Sequence, residues 1–461
     1  MNSLKSILKP ETPSPAAVRF LAFVLLLLLL PSGVMAQKKT ASQYLADYQQ
    51  YLKEGKMEQA AATMRVAVKL YPDNRNCQYE LGVVSYYLGL YDEAKEAYLA
   101  TIAIDSNYAE AYNSLAVIAN RKQLYNEAIS WCQKALALNP KMSGAYVNLG
   151  LAYSSVKRIE DARKAYLQAI ELDSTSAVAH ADLGNLYCNQ GQYSQGIKYL
   201  KRAVQLNPDY GTAYYALGLA YDRSDLPDDA IAYFKKALAV NPKLITIYND
   251  MGMTQAKTGD YPAAIKSFKQ STNVAPKYVD AYYNAGLAYY ELRKYDSAAV
   301  WFKRATLIDE SHVQSYYSLG IVYYRLGKKD DAVNYYQKAI KLNPKHATAL
   351  NAIAYIKYEN HDYEEAISYF KKAAEASPKY IEPHIGLGNT YLQLARYTDA
   401  IAAYNDVIKI NPKRADAYYN IGVAYYYMAD DKKAAEWFRR CLEVDPTYTD
   451  AETNLRILQQ E

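Results

Sequence analysis

Residue types that carry much of enzyme chemistry are scarce in this chain of 461 residues. It holds 5 histidines and 4 cysteines. The irregular cysteine spacing matches no metal motif and does not resemble a secreted disulfide framework. No phosphate-binding glycine loop or nucleophile motif is present. We therefore expect no catalytic residue, metal or cofactor, and predict that the protein is not an enzyme.

A large excess of one charge is also missing. The chain has 53 basic and 48 acidic side chains, a formal net charge of +5. A balance this close to neutral over so many residues gives no basis for nucleic-acid binding, so we expect no nucleic-acid partner. Tyrosine, in contrast, is abundant, with 51 residues.

The N-terminal apolar run is too short to span a bilayer. Phe20–Leu30 contains 11 residues and is followed by Pro31, whereas a spanning helix needs about 20 apolar residues. Val34-Met35-Ala36 then offers suitable residues for a cleavage site. We predict a signal peptide over residues 1–36, a short lead-in over 37–40, and an exported protein of the bacterial periplasm or a secreted one. The alternative is an uncleaved leader that anchors the protein in a membrane.

The main feature of the sequence is a period of 34 residues, present in twelve in-phase copies from 41 to 448. With each repeat numbered from 1 to 34, position 8 is glycine in nine repeats and position 20 is alanine in eleven. In Val313–His346, two stretches with apolar residues at helical spacing are separated by Gly327 and followed by Asn343-Pro344, which predicts a pair of helices. One pair cannot bury its apolar faces alone, so the copies must stack.

The pattern aromatic–x2–Leu-Gly–x2–Tyr…Ala–x3–Phe…Pro resembles the tetratricopeptide repeat (TPR) family. The units are similar to those in the repeat region of O-linked GlcNAc transferase, without its catalytic domain. This resemblance implies an all-α, right-handed superhelical solenoid of twelve helix-turn-helix units over 41–448. We predict capping boxes at Thr40 with Gln43 and at Thr449 with Glu452, the second opening a C-terminal capping helix over 449–461.

Adjacent tyrosine pairs indicate two uses of the first helix in each repeat, because neighbouring helix positions point about 100° apart. Tyr316 and Tyr323 match core positions 4 and 11. At positions 5 and 12, one step further round, this family lines its concave groove. The same phase predicts a set of groove tyrosines: Tyr283, Tyr290, Tyr317, Tyr324, Tyr358, Tyr419 and Tyr426. They either pack between neighbouring first helices or offer an aromatic floor to an extended ligand.

Asparagines give a second signal in the same groove. Asn284 and Asn420 occupy position 6, and Asn389 occupies position 9. In the transferase repeats, asparagines at position 6 hold peptide backbone, and a carboxamide can donate and accept at once. The row is gapped here, with Asp182 and Asp250 among its members. The resemblance therefore implies peptide binding by Asn284, Asn389 and Asn420, without a continuous row of amides.

The expected function is that of an exported TPR scaffold. It would bind an extended protein or peptide segment in its concave groove and help to assemble a multiprotein complex. The alternative is a periplasmic scaffold for polysaccharide binding or export, because tyrosine-rich surfaces also suit sugars. A membrane is an expected partner only if the leader is retained.

Overall fold

The computed structural model of the protein describes residues 39–459, and every regular element within this range is an α-helix. The predicted signal peptide lies outside the described residues. Each repeat consists of a first helix of 13 residues and a second helix of 14, as in α1 (Ala41–Lys53) and α2 (Met57–Leu70). The predicted all-α fold of helix-turn-helix units is confirmed.

The helices begin at the predicted repeat starts. The remaining first helices are α3 (Arg75–Tyr87), α5 (Ala109–Arg121), α7 (Ser143–Ser155), α9 (Ala177–Asn189), α11 (Gly211–Arg223), α13 (Ile245–Lys257), α15 (Val279–Glu291), α17 (Val313–Arg325), α19 (Ala347–Glu359), α21 (Ile381–Gln393) and α23 (Ala415–Tyr427). The remaining second helices are α4 (Tyr91–Ile104), α6 (Tyr125–Leu138), α8 (Ile159–Leu172), α10 (Tyr193–Leu206), α12 (Pro227–Val240), α14 (Tyr261–Val274), α16 (Tyr295–Ile308), α18 (Lys329–Leu342), α20 (Tyr363–Ala376), α22 (Tyr397–Ile410) and α24 (Asp431–Val444). A last helix, α25 (Thr449–Leu458), follows them.

The turn inside each repeat reverses the chain through one residue with left-handed backbone. Gly327 ends α17 with a φ of 74°, as predicted. The corresponding position 15 has positive φ in all twelve repeats, and in some of them the residue is not glycine, as at Arg293 with a φ of 56°. A side chain in this region is strained, by about 1–2 kcal/mol for the left-handed conformation.

Small residues at positions 8 and 20 allow the two helices of a repeat to cross closely. A Cβ added to Gly286 would lie 2.6 Å from the ring of Phe302 at position 24 of the same repeat. Ala332, at position 20, is fully buried. The aromatic ring at position 24 is therefore what requires a small residue at position 8.

The described chain divides into two compact units, an N-terminal unit that ends at Asp182 and a C-terminal unit that begins at Leu183. Within the C-terminal unit, Leu319, Tyr323 and Tyr336 belong to one cluster of buried residues. The prediction that Tyr316 and Tyr323 are both core residues holds for Tyr323 only. Tyr316 is half-buried, and its ring is covered by the Lys338 ammonium, which lies 5.8 Å from the ring centre.

The two ends of the described chain differ in how they are capped. At the first helix, Thr40 Oγ1 accepts from Gln43 N (3.3 Å) and Gln43 Oε1 accepts from Thr40 N (2.7 Å), which confirms the predicted capping box. The second predicted box is wrong, because Thr449 is already the first residue of α25 and the cap position is Tyr448. Helix α25 still covers the last repeat, with Leu455 and Leu458 packed against a cluster that contains Phe438.

Candidate functional site

The predicted site residues all lie on first helices of the C-terminal unit, from α15 to α23. We call the surface formed by positions 5, 6, 9, 12 and 13 of these helices the groove face. Nine of the ten predicted residues are half-buried, and Tyr426 is 47% exposed. Half-burial means that these side chains both pack within the protein and present part of their surface to solvent.

The tyrosine at position 5 is held between two rings of its own repeat. The Tyr317 centroid lies 5.7 Å from that of Tyr336 at position 24 and 4.8 Å from that of His346 at position 34. Contacts of this kind favour offset or tilted rings and fix the orientation of the tyrosine. The same arrangement recurs at Tyr283 with Phe302 and His312, and at Tyr419 with Phe438 and Tyr448.

The tyrosine at position 12 is bonded to the next repeat. The Tyr324 hydroxyl donates to Glu359 Oε1 at 2.5 Å, and the Tyr290 hydroxyl accepts from Arg325 Nε at 3.4 Å. Both partners occupy position 13, thirty-five residues further along the chain. The Tyr358 ring also packs on Tyr363 of its own repeat, as the Tyr290 ring packs on Tyr295. The tyrosines at position 12 therefore pack within the protein and still leave part of their surface open to a ligand.

The predicted asparagines are also partly engaged inside the protein. Asn284 Nδ2 donates to Asn249 Oδ1 at 3.0 Å, and Asn389 Oδ1 accepts from the Tyr404 hydroxyl at 2.6 Å. Asn420 is half-buried on the groove face. Each of these bonds uses one polar group of an amide that has two.

A pocket of about 410 Å³ opens on the groove face between repeats 9 and 10. The sequence predicted two of its residues, Tyr317 and Tyr324, and missed the others. Its lining consists of Tyr317, Tyr324, Tyr336, Thr348, Asn351, Ala352, Tyr355, Ile356, Glu359 and Tyr380. One missed residue, Tyr336, comes from position 24 of repeat 9. The others come from positions 2, 5, 6, 9, 10, 13 and 34 of repeat 10, which become neighbours of Tyr317 only when the two repeats stack.

Asn351 gives this pocket a polar group without a partner. The residue is 6% exposed, and its Nδ2 donates to the Tyr380 hydroxyl at 3.2 Å. Its Oδ1 is buried and has no hydrogen-bond partner. An unsatisfied buried polar group costs about 1–3 kcal/mol. A ligand that donates a hydrogen bond to this oxygen would remove that cost.

The repeat pattern and its helical hairpins agree with the sequence comparisons. Sequence models described as tetratricopeptide repeat match residues 49–109, 79–143, 143–176, 174–243, 249–311, 317–381, 357–419 and 415–448. The chain belongs to the tetratricopeptide repeat family. No curated protein sequence matches it significantly.

Several solved TPR structures are similar to parts of the chain. YrrB, described as a TPR protein with an unusual peptide-binding site, is 27% identical over 41% of this chain and 96% of its own, with a TM-score of 0.37. MamA is 26% identical over 36% of this chain and 97% of its own, with a TM-score of 0.34. The Cut9–Hcn1 hetero-tetramer is 14% identical over 96% of this chain and 99% of its own, with a TM-score of 0.41.

The pocket between repeats 9 and 10 has one negatively charged lining residue, Glu359. Burial acts to raise the pKa of Glu359, but the Tyr324 hydroxyl and the Lys329 ammonium outweigh it and hold this pKa below its usual value. Lys329 Nζ lies 2.9 Å from Glu359 Oε2. Inside the pocket, burial raises the pKa of Tyr380 to about 12. The Tyr380 hydroxyl is therefore neutral at physiological pH, and Glu359 is ionised.

Two aspartates interrupt the amide row at position 6. In the C-terminal TPR unit, burial raises the pKa of Asp250, and the Tyr215 hydroxyl donates to its Oδ2 at 2.5 Å. In the N-terminal unit, burial raises the pKa of Asp182 to about 6. These two residues of the row are thus half-buried acids, not additional amides for a peptide backbone.

Neither a metal nor a membrane span is indicated in the described TPR units. Residues 39–459 contain no group of three or more histidine, cysteine, aspartate or glutamate side chains placed to hold a metal ion. None of the helices in this range combines the length and the apolar character that crossing a bilayer requires.

Proposed function

We propose that this TPR protein is a binding scaffold, not an enzyme, whose groove face in the C-terminal unit holds an extended segment of a partner protein. By holding that segment, it helps to assemble a multiprotein complex. The observation that carries the proposal is the pocket between repeats 9 and 10, where the buried Asn351 Oδ1 lacks a hydrogen-bond partner. Stability alone favours an apolar residue at such a position, so a bound donor accounts for the asparagine.

The fixed rings around the pocket support binding with little loss of conformational freedom. Tyr317 is held by Tyr336 and His346, and Tyr324 is held by its bond to Glu359. A preformed surface does not lose side-chain entropy when the ligand arrives, and that loss otherwise amounts to about 0.5–1.5 kcal/mol per immobilised side chain.

The same geometry favours a peptide over the polysaccharide alternative. Stacking on a sugar requires an open ring face, whereas the Tyr283, Tyr317 and Tyr419 rings each contact two neighbouring rings. An extended peptide can place one side chain in the pocket and its backbone beside the partly engaged amides of Asn284 and Asn389. We therefore propose protein, not polysaccharide, as the partner.

A displayed library of random 12-residue peptides, selected on the immobilised chain 37–461, tests this function. Selected peptides should bind the wild type and lose at least about fivefold in affinity to Asn351→Leu, which removes the amide at similar volume. Lys338→Gln is the matched control, because Lys338 belongs to repeat 9 but lies over Tyr316 and Tyr335, outside the pocket lining. A library without binders, together with binding to a glycan array, would overturn the proposal in favour of polysaccharide.

We propose further that the protein is exported after removal of residues 1–36. The support is the apolar run Phe20–Leu30 followed by Pro31 and the Val34-Met35-Ala36 site. In a bacterial host, mass spectrometry of protein released by osmotic shock should find Gln37 at the N-terminus. An intact leader on protein that stays in the membrane fraction would contradict export of a cleaved form.

A further inference from the structure

We infer that the pocket between repeats 9 and 10 receives an arginine side chain of the bound segment. This inference rests on the proposed function, because it names the side chain that the same site recognises.

The walls of the pocket are aromatic. Five of its ten lining residues are tyrosines: Tyr317, Tyr324, Tyr336, Tyr355 and Tyr380. Tyr336 is buried and Tyr317 lies against two rings, so the faces left for a ligand are those of the half-buried Tyr324, Tyr355 and Tyr380. Such faces carry partial negative charge and attract a cation that lies within about 6 Å of the ring centre. A guanidinium group is planar and stacks on aromatic faces more readily than an ammonium does.

The polar groups of the pocket are suited to a ligand that donates. Asn351 Nδ2 is already used by the Tyr380 hydroxyl, which leaves Oδ1 as the group that needs a partner. Arginine brings five N–H donors and no acceptor. A carboxylate or carbonyl ligand would instead place one oxygen against another.

The charges of the pocket point the same way. Glu359 is the one acidic residue of the lining, which contains no lysine or arginine. Its side chain is 36% exposed and is already paired with Lys329, whose side chain is 39% exposed. An incoming guanidinium would share or take this carboxylate, so Lys329 competes with the ligand.

The same unit already shows that its tyrosines accept cations. The Arg396 guanidinium lies 4.6 Å from the centre of the Tyr391 ring, and Lys303 Nζ lies 5.2 Å from that of Tyr323. The faces of the Tyr391 and Tyr323 rings are thus occupied by cations of the protein itself. None of the five rings of the pocket is covered by a cation in this way in the described part of the chain. We therefore assign the position over these rings to a cation of the ligand.

The test uses the chain 37–461 and peptides selected on it from the random library. Selected sequences should be enriched in arginine, and replacing the arginine by citrulline, its uncharged isostere, should weaken binding by at least about tenfold. Asn351→Leu should give a similar loss, and Glu359→Gln about a fivefold loss. Lys329→Gln should strengthen binding by about two- to fivefold, because it removes the competing cation.

The gain with Lys329→Gln separates recognition from a structural role, since loss of an ion pair alone would not improve affinity. Lys338→Gln should leave every affinity unchanged. Peptides that bind without arginine enrichment, and equally well with citrulline, would overturn the arginine inference and leave the proposed function standing. Failure of all peptides to bind would overturn both.

Discussion

The N-terminal unit contains a pocket built on the same framework as the one between repeats 9 and 10, and the two differ where a ligand would be recognised. The N-terminal pocket lies between repeats 2 and 3, has a volume of about 260 Å³ and is lined by Tyr79, Val83, Tyr86, Tyr87, Tyr98, Ser114 and Val117. Its tyrosines at positions 5, 12 and 24 correspond to Tyr317, Tyr324 and Tyr336. The ring framework is therefore common to both units.

The differences lie in the repeat that follows. At position 5, Asn113 is satisfied because Asn148 donates to it at 2.8 Å, whereas Asn351 Oδ1 has no partner. At position 13, Arg121 donates to Tyr86, whereas Glu359 accepts from Tyr324. If the pocket between repeats 9 and 10 binds a ligand as proposed, positions 5 and 13 of the following repeat are what distinguish it from a packing seam between repeats.

The largest expected effect tests the shared framework. Tyr98 and Tyr336 are each 3% exposed, so changing either one to alanine should lower the free energy of unfolding by about 3–5 kcal/mol. Because repeats unfold partly independently, the loss should appear as an early transition in denaturant melts. Hydrogen exchange should locate it in repeat 2 or in repeat 9. Tolerance of one substitution but not the other would break the equivalence of the two frameworks.

The next largest effect is expected at the two aspartates of position 6, Asp182 in the N-terminal unit and Asp250 in the C-terminal unit. Because the folded pKa of Asp182 is about 6, above its usual value of 3.8, the folded state binds more protons between these values. Its contribution to stability is therefore greatest at low pH and is lost as pH rises through about 6. Asp182→Asn should stabilise the protein by about 1–2 kcal/mol at pH 8 and much less at pH 4.

Thermal melts at the two pH values check this prediction, with Asp250→Asn as the matched control. Asp250 shares the upward shift, but its partner Tyr215 donates to it, so the gain from that substitution should be smaller. An equal stabilisation by Asp182→Asn at both pH values would show that ionisation of the group is not the cause.

Two asparagine substitutions should have opposite signs. Asn351→Leu removes the unpartnered Oδ1, which costs about 1–3 kcal/mol, together with the bond from Nδ2 to the half-buried Tyr380 hydroxyl, which contributes about 1 kcal/mol. The net result should be a rise of about 1 kcal/mol in the free energy of unfolding. Asn113→Leu leaves the Asn148 amide without its acceptor and should lower it by about 1 kcal/mol. Denaturant melts of the two variants decide the question. A change of the same sign in both variants would show that the two position-5 amides, Asn113 and Asn351, are equivalent.

The smallest expected effect concerns position 13 of the repeat that follows each pocket, Arg121 in repeat 3 and Glu359 in repeat 10. Arg121→Ala and Glu359→Ala should each change the free energy of unfolding by about 0.5 kcal/mol or less, because exposed polar and charged pairs contribute little. Melts of the two variants should therefore overlay that of the wild type. A larger loss for Glu359→Ala would mean that the residue holds repeats 9 and 10 together, and its effect on peptide affinity would then be structural.

The sequence predicted the fold well because every repeat restates the same local rules. Gly327 and the small residues at positions 8 and 20 were readable from one copy and checked by eleven others. The site was harder to predict, because the pocket joins residues of two successive repeats, such as Tyr317 and Asn351, which are 34 residues apart. Tyr317 was identified by its helical phase, whereas the bond of Asn351 to Tyr380 and its unpaired oxygen depend on three-dimensional stacking. The Thr449 cap failed because Tyr448 already occupies the cap position.

The bonds that join successive first helices also bear on how repeat number can change in evolution. Deleting repeat 9 (313–346) would bring Tyr290 opposite Glu359 instead of Arg325. A tyrosine hydroxyl both donates and accepts, so Tyr290 could donate to the carboxylate as Tyr324 does now. A contact between repeats that relies on a hydroxyl able to donate and to accept can therefore form with either an acidic or a basic residue of the next repeat. Where tyrosine and asparagine line these seams, whole repeats can be lost or duplicated by recombination without leaving a hydroxyl or amide unbonded at the junction.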